Sequence, residues 1–137
     1  MLNKKVVFSE LNSRQQEIYN FQKASAVFAD YGYTTIKLSD DWMGADFIAI
    51  SFDGTEYLKV QLKGRLAFAK KYQGKNLFVC FHDKTSDVWY LYNHDELLNK
   101  FAQQIENSDS WVNDGVYHFP SLSEEKQTLL APFAIGK

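Results

Sequence analysis

Polar and apolar positions alternate strictly over residues 58–63, Leu-Lys-Val-Gln-Leu-Lys, until Gly64-Arg65 ends the pattern. Such alternation predicts a strand with one wet and one buried face. Period two puts Tyr57, Lys59, Gln61 and Lys63 on one side and Leu58, Val60 and Leu62 on the other. Asp53-Gly54, just upstream, is a hairpin turn signal. It joins the strand predicted over 56–63 to a nearly continuous apolar run over 46–52, the pattern of a strand covered on both faces. A turn centred on 53–54 pairs residue i with roughly residue 107 − i, which sets Gln61 opposite Asp46.

Around this hairpin the pattern predicts further elements. A helix is expected over 13–31, with Ser13 as N-cap, Gln16 completing a capping box, and Gly32 at its end. At 100° per residue, Phe21, Ala24, Phe28 and Tyr31 fall within about 40° of one direction and form its apolar stripe. Strands are expected over 33–38, 76–81 and 88–92. A second helix starts at Asn93, where Glu96 supports the cap and Leu97, Phe101 and Ile105 recur every four residues. Beyond 107 the signal is weaker, with a short hairpin expected over 111–119 and a last helix over 121–130 capped by Ser121 and Glu124. Helix, three strands, two strands, helix is the order of an α/β sandwich on a mixed sheet.

Composition narrows the class. At 137 residues the chain suits one domain rather than two. No stretch approaches the about 18 apolar residues of a membrane span, and the first residues lack a signal-peptide core. A single cysteine, Cys80, excludes an internal disulfide and a cysteine-rich zinc site. A soluble, cytoplasmic protein without membrane contact is expected. The net charge of −2 argues against coating nucleic acid by global electrostatics but permits a local basic surface.

Four features carry candidate chemistry. Glu17 lies at the centre of the first helix's apolar stripe, where an acid either sits on an overhanging wet turn or needs a partner, a metal or a wet cleft. Asp46 opens an apolar strand; an Asp there serves equally to cap the preceding turn. Gln61 and Lys63 gather at the same end of the hairpin as Asp46. Finally, six basic residues and no acids occur between 57 and 82 (Lys59, Lys63, Arg65, Lys70, Lys71, Lys75), interleaved with Phe68, Tyr72 and Phe78. This is either a solvated loop or a patch suited to a phosphate backbone. Other chemistries lack support: His82, His94 and His118 have no zinc-motif spacing, and there is no nucleophile elbow, P-loop or dinucleotide fingerprint.

Glu17, Gly-Ala-Asp ending at Asp46, and Val-Gln-Leu-Lys-Gly around Gln61 and Lys63 resemble the PD-(D/E)XK nuclease superfamily over residues 13–92. The match is closest to restriction and junction-resolving branches in which Gln replaces an acid. Ala45 stands where that family has proline. The resemblance implies a restriction-endonuclease-like α/β core with a mixed sheet of about five strands flanked by helices. It would be a single domain over 1–137, its core at about 13–106 and 107–137 a C-terminal extension. The family's second core helix would have to fit within Leu66–Gln73, about two turns.

The implied activity is Mg²⁺- or Mn²⁺-dependent endonucleolytic hydrolysis of DNA, by a homodimer on duplex or branched substrates. Asp46, the Gln61 side-chain oxygen and the Leu62 carbonyl would hold the metal, with Glu17 assisting. Lys63 would position or deprotonate water, and Lys59, Arg65, Lys70, Lys71 and Lys75 would hold the backbone. The alternative is a catalytically inactive nucleic-acid-binding or protein-interaction domain with the same fold.

Overall fold

The computed structural model describes residues 2–137. Helix α1 (Ser13–Ala29) is followed by β1 (Thr34–Trp42), β2 (Ala45–Ile50) and β3 (Tyr57–Lys63), an antiparallel run. A short strand β4 (Ala67–Ala69) and a 3₁₀ turn (Lys70–Tyr72) lead to β5 (Leu77–Asp83), which lies parallel to β3. Then come β6 (Val88–Asn93), α2 (His94–Ile105), a π-helical turn (Ser110–Asp114), β7 (Val116–His118), α3 (Glu124–Leu130) and β8 (Ala134–Gly136). The main sheet has the order β1-β2-β3-β5-β6-β8, and β4 with β7 forms a separate ribbon. The α/β class with a mixed sheet flanked by helices holds, with six strands in place of about five.

Two apolar layers explain the patterning. Ala24, Val27 and Phe28 of α1 pack with Phe47, Ala49, Val60, Cys80 and Trp89. On the other face Val79, Phe81 and Tyr92 pack with Leu97, Phe101 and Ile105 of α2, and with Trp111, Phe119 and Leu130 from the last third of the chain. Strand β5 therefore sends Cys80 to one layer and Val79 and Phe81 to the other, which is why it reads as unbroken apolar sequence.

The hairpin register is as expected: Phe47 pairs with Val60 and Ile50 with Tyr57. The loop is wider than a two-residue turn, closed by Ser51 and Glu56, with Asp53 accepting from Ser51 and Thr55 and Gly54 at φ +73°.

Several expectations are corrected. The α1 capping box is Asn12 with Gln15, one residue earlier than Ser13 with Gln16; the Gln16 amide instead donates to the carbonyls of Phe8 and Leu11. Tyr31 lies past the helix end, and its hydroxyl donates to the Ile135 carbonyl. Ser123 rather than Ser121 caps the last helix. Strand β1 runs on to Trp42 and turns tightly through Met43 and Gly44 (φ +54° and +86°), the left-handed pair that a two-residue hairpin turn requires. Residues 111–119 make no hairpin of their own, because β7 pairs with β4.

No helix follows β3 either. Leu66, Ala67, Phe68 and Ala69 are all buried in succession, which one helical face cannot achieve. Their backbone is satisfied by β7, by the Tyr92 hydroxyl on Ala67 and by His94 Nε2, which accepts the Ala69 N–H at 3.0 Å.

Candidate active site

Strands β2 and β3 stop pairing beyond Phe47 and Val60, and the next residues outward are Asp46 and Gln61. Here the Asp46 carboxylate replaces the missing backbone partner. Its Oδ2 accepts the Leu62 N–H at 2.9 Å. The parted strands open a cleft of about 160 Å³ under the start of α1, lined by Glu17, Asn20, Lys37, Asp46, Gln61 and Lys63 among others. Four residues singled out in the sequence thus share one cleft. Glu17 is solvent-exposed yet on its wall, so it is wet and still in place.

The electrostatics of the cleft are uneven. Burial holds the Asp46 carboxyl above the ordinary range; its hydrogen bond from Leu62 opposes this, while the charge of Asp41 and a hydrogen-bonding contact with it add to the rise, and Lys37 opposes. Gln61 is 9% exposed, and its Oε1 is buried with no hydrogen-bond partner among the described residues. Its Nε2 donates only weakly, at 3.4 Å, to the Leu62 carbonyl. An orphaned buried acceptor costs about 1–3 kcal/mol and calls for a ligand that a polar cleft can supply.

Lys63 lies half-buried with its ammonium 5.4 Å from the centre of the Tyr72 ring, and Lys71 reaches the same ring at 5.4 Å. The Tyr72 phenol is pushed up, first by burial; Lys71 opposes, and Asp46 and Asp41 reinforce it. Tyr72, named in the sequence only as an aromatic interleaved with the basic run, and Asp41, which the sequence pattern did not single out, therefore belong to the same neighbourhood. Asp41 lay beyond the expected end of its strand. The usable signal was Met43-Gly44, a two-residue turn that folds Asp41 back beside Asp46.

The remaining basic residues spread apart. Lys59 donates to the Lys75 carbonyl and lies over Trp42, so its ammonium is taken up away from the cleft. Lys70 lies over Trp111. Arg65 stays close: together with Lys63 it helps to depress the His118 imidazole, whose downward shift is led by burial.

The residues that line the cleft carry oxygens that could serve as ligands: the Asp46 carboxylate, the unpartnered Gln61 Oε1 and the Glu17 carboxylate. Hard oxygen sets suit Mg²⁺ or Mn²⁺. Among the described residues no three His, Cys, Asp or Glu side chains gather as a metal-binding group, so the amide oxygen would have to complete the set.

No protein-family model matches the sequence, and no curated protein matches it significantly. Among solved structures, the chain is similar to that of a bacterial homing endonuclease. The TM-score is 0.55 at 13% sequence identity, over 90% of this chain and 89% of that one. At such identity the likeness is one of fold: this α/β arrangement is also that of an endonuclease. No helix among the described residues is long and apolar enough to cross a membrane.

Proposed function

We propose that this protein is a metal-dependent endonuclease of the PD-(D/E)XK type that hydrolyses phosphodiester bonds of DNA. One observation carries the reading. Glu17 from a helix, Asp46 from one strand and Gln61 and Lys63 from the next line a single cleft where the strands part, beside an acceptor with no partner. In this reading Asp46, Gln61 Oε1 and the Leu62 carbonyl would hold Mg²⁺ or Mn²⁺, with Glu17 supporting through water. When bound, the ion supplies Lewis-acid relief of charge on the phosphate.

The protein's own groups do the rest. The Leu62 N–H fixes the Asp46 carboxylate through its Oδ2. Lys63, the basic group of the cleft on β3, orients the attacking water and stabilises the charge that develops on the phosphate, while the proton of that water passes to bulk solvent. Arg65, next to Lys63 near His118, and Lys71 on Tyr72 supply positive charge for the flanking backbone. Lys59, Lys70 and Lys75 would act only as outlying contacts. Two copies would be needed to cut both strands of a duplex, so a homodimer is part of the proposal.

A second reading, an inactive nucleic-acid-binding domain, draws on the neutral Gln61 and the missing three-acid group. One experiment separates them. Wild type and Lys63→Ala are incubated with supercoiled, branched and single-stranded DNA, with Mg²⁺, Mn²⁺ or a chelator. Cleavage lost in both the variant and the chelated sample supports the enzyme. Binding without cleavage favours the second reading, and neither binding nor cleavage rejects both.

A further inference from the structure

Beyond Gly64 the cleft does not end. A hollow of about 210 Å³, bounded by Lys63, Gly64, His82, Trp89 and Phe8, leads on from it. That hollow shares Phe8, His82, Lys84 and Trp89 with a groove of about 720 Å³ between α1 and the β5–β6 hairpin. Asn20 lines all three spaces, so they adjoin one another along α1. The volume of the groove alone lies within the roughly 300–1,000 Å³ of ordinary ligand sites.

The groove walls pair rings with cations. Lys23 stands 5.4 Å from the centre of the Tyr19 ring, and Lys84 stands 5.1 Å from that of Phe8. Tyr19 and Phe8 meet edge to face at 5.3 Å. Across from them the His82 ring lies on Trp89 at 4.8 Å and 32°. Trp89, 7% exposed, is the buried support, and His82 is the face shown. Two acids also line the groove; Asp87 is hydrogen-bonded to His82 at 2.8 Å, and Asp30 lies at the far end of α1.

We infer that this groove holds an unpaired segment of nucleic-acid strand leading away from the cleft. Aromatic shelves are of use to a base only when its face is free, and a base in a duplex shows a protein only its edges. Ammonium groups beside those shelves match the phosphates that separate successive bases. The inference rests on the nuclease reading and narrows its substrate to a flap, a branch or a single strand, rather than an uninterrupted duplex.

The test is fluorescence anisotropy in Ca²⁺ with three labelled DNAs: a blunt duplex, the same duplex with a single-stranded arm, and the arm alone. Wild type is expected to bind the armed duplex about tenfold more tightly than the blunt one. Tyr19→Ala and Lys84→Ala should each remove most of that gain while lowering blunt-duplex affinity much less. Lys84→Ala should also reduce the salt slope for the single strand by about 0.7. Lys84 is exposed, so its variant remains informative if Tyr19→Ala misfolds.

Equal binding of blunt and armed duplexes overturns the inference, as does a preference that survives both substitutions. Blunt and armed duplexes bound equally here, with cleavage retained in the Mg²⁺ assay above, overturn it alone and leave the nuclease reading standing. Failure to bind any DNA overturns both.

Discussion

His94 makes a prediction that can be worked through in full. The imidazole is fully buried. Its Nε2 accepts the Ala69 N–H at 3.0 Å, so the ring proton sits on Nδ1 and is donated to Asp95 Oδ1 at 2.8 Å. Asp95 Oδ2 in turn accepts the Gly74 N–H at 2.8 Å. These bonds pin both ends of the segment that carries Lys70, Lys71 and Tyr72. His94→Phe keeps the ring among Phe68 and Tyr72 but leaves the Ala69 N–H buried without an acceptor. The cost is about 1–3 kcal/mol, to be read as a lower urea midpoint at unchanged slope.

The pH dependence gives a second readout of the same bond. Burial lowers the His94 pKa in the folded state, against the opposing pull of Asp95. A proton on Nε2 would face the Ala69 N–H, donor against donor. The stability that the neutral ring contributes is therefore complete above the ordinary histidine range. It declines as pH falls below about 6.5, because the unfolded chain takes up a proton that the folded chain refuses. His118, also depressed, slopes in the same direction, so the comparison is made in a His118→Gln background. Between pH 7.5 and 5.5 the parent loses stability, and His94→Phe flattens the curve. An unchanged urea midpoint together with an unchanged dependence of stability on pH would refute the reasoning.

Other outcomes follow from the site itself. Asp46→Asn keeps an oxygen for the Leu62 N–H but removes a charge disfavoured by burial and by Asp41, so the melting temperature should rise. Cleavage, by contrast, should fall about a hundredfold or more, which gel assays of nicked plasmid would report. Gly44→Ala should destabilise by about 1–2 kcal/mol from its positive φ alone. The added methyl would also stand 3.1 Å from both Tyr72 and Leu77, so the Tyr72 ring and the lysines on it should shift, visible as altered urea midpoints and weaker DNA binding.

What could be read from the sequence was whatever a periodic pattern or a turn signal encodes locally. The alternation at 57–63 and the Asp53-Gly54 signal were enough for the register that puts Asp46 beside Gln61, even though the loop is wider than two residues. Strand β8 escaped because three residues that pair through the backbone, two of them exposed, leave no period. The latter half of β1 escaped for the same reason: residues 39–42 are all exposed. The crossover was misread because buried alanines fit helix and strand alike, and the partners that decide, Tyr92, His94 and β7, are distant in sequence. The basic run 59–75 looked like one patch along the chain. The fold sends Lys59 to the Lys75 backbone carbonyl and Lys70 to Trp111, while Lys23 and Lys84, from separate elements, come to line one groove.

Gln61 is the residue on which the account turns, since it is either a working oxygen ligand or the mark of a retired site. The direct measurement is single-turnover DNA cleavage as Mg²⁺ is titrated, for wild type, Gln61→Glu and Asp46→Asn. The account predicts metal-dependent cleavage by wild type, a lower half-saturating Mg²⁺ concentration in Gln61→Glu, and near-complete loss in Asp46→Asn. Wild type that cuts no DNA at any Mg²⁺ concentration, or a metal dependence that neither substitution moves, would contradict it.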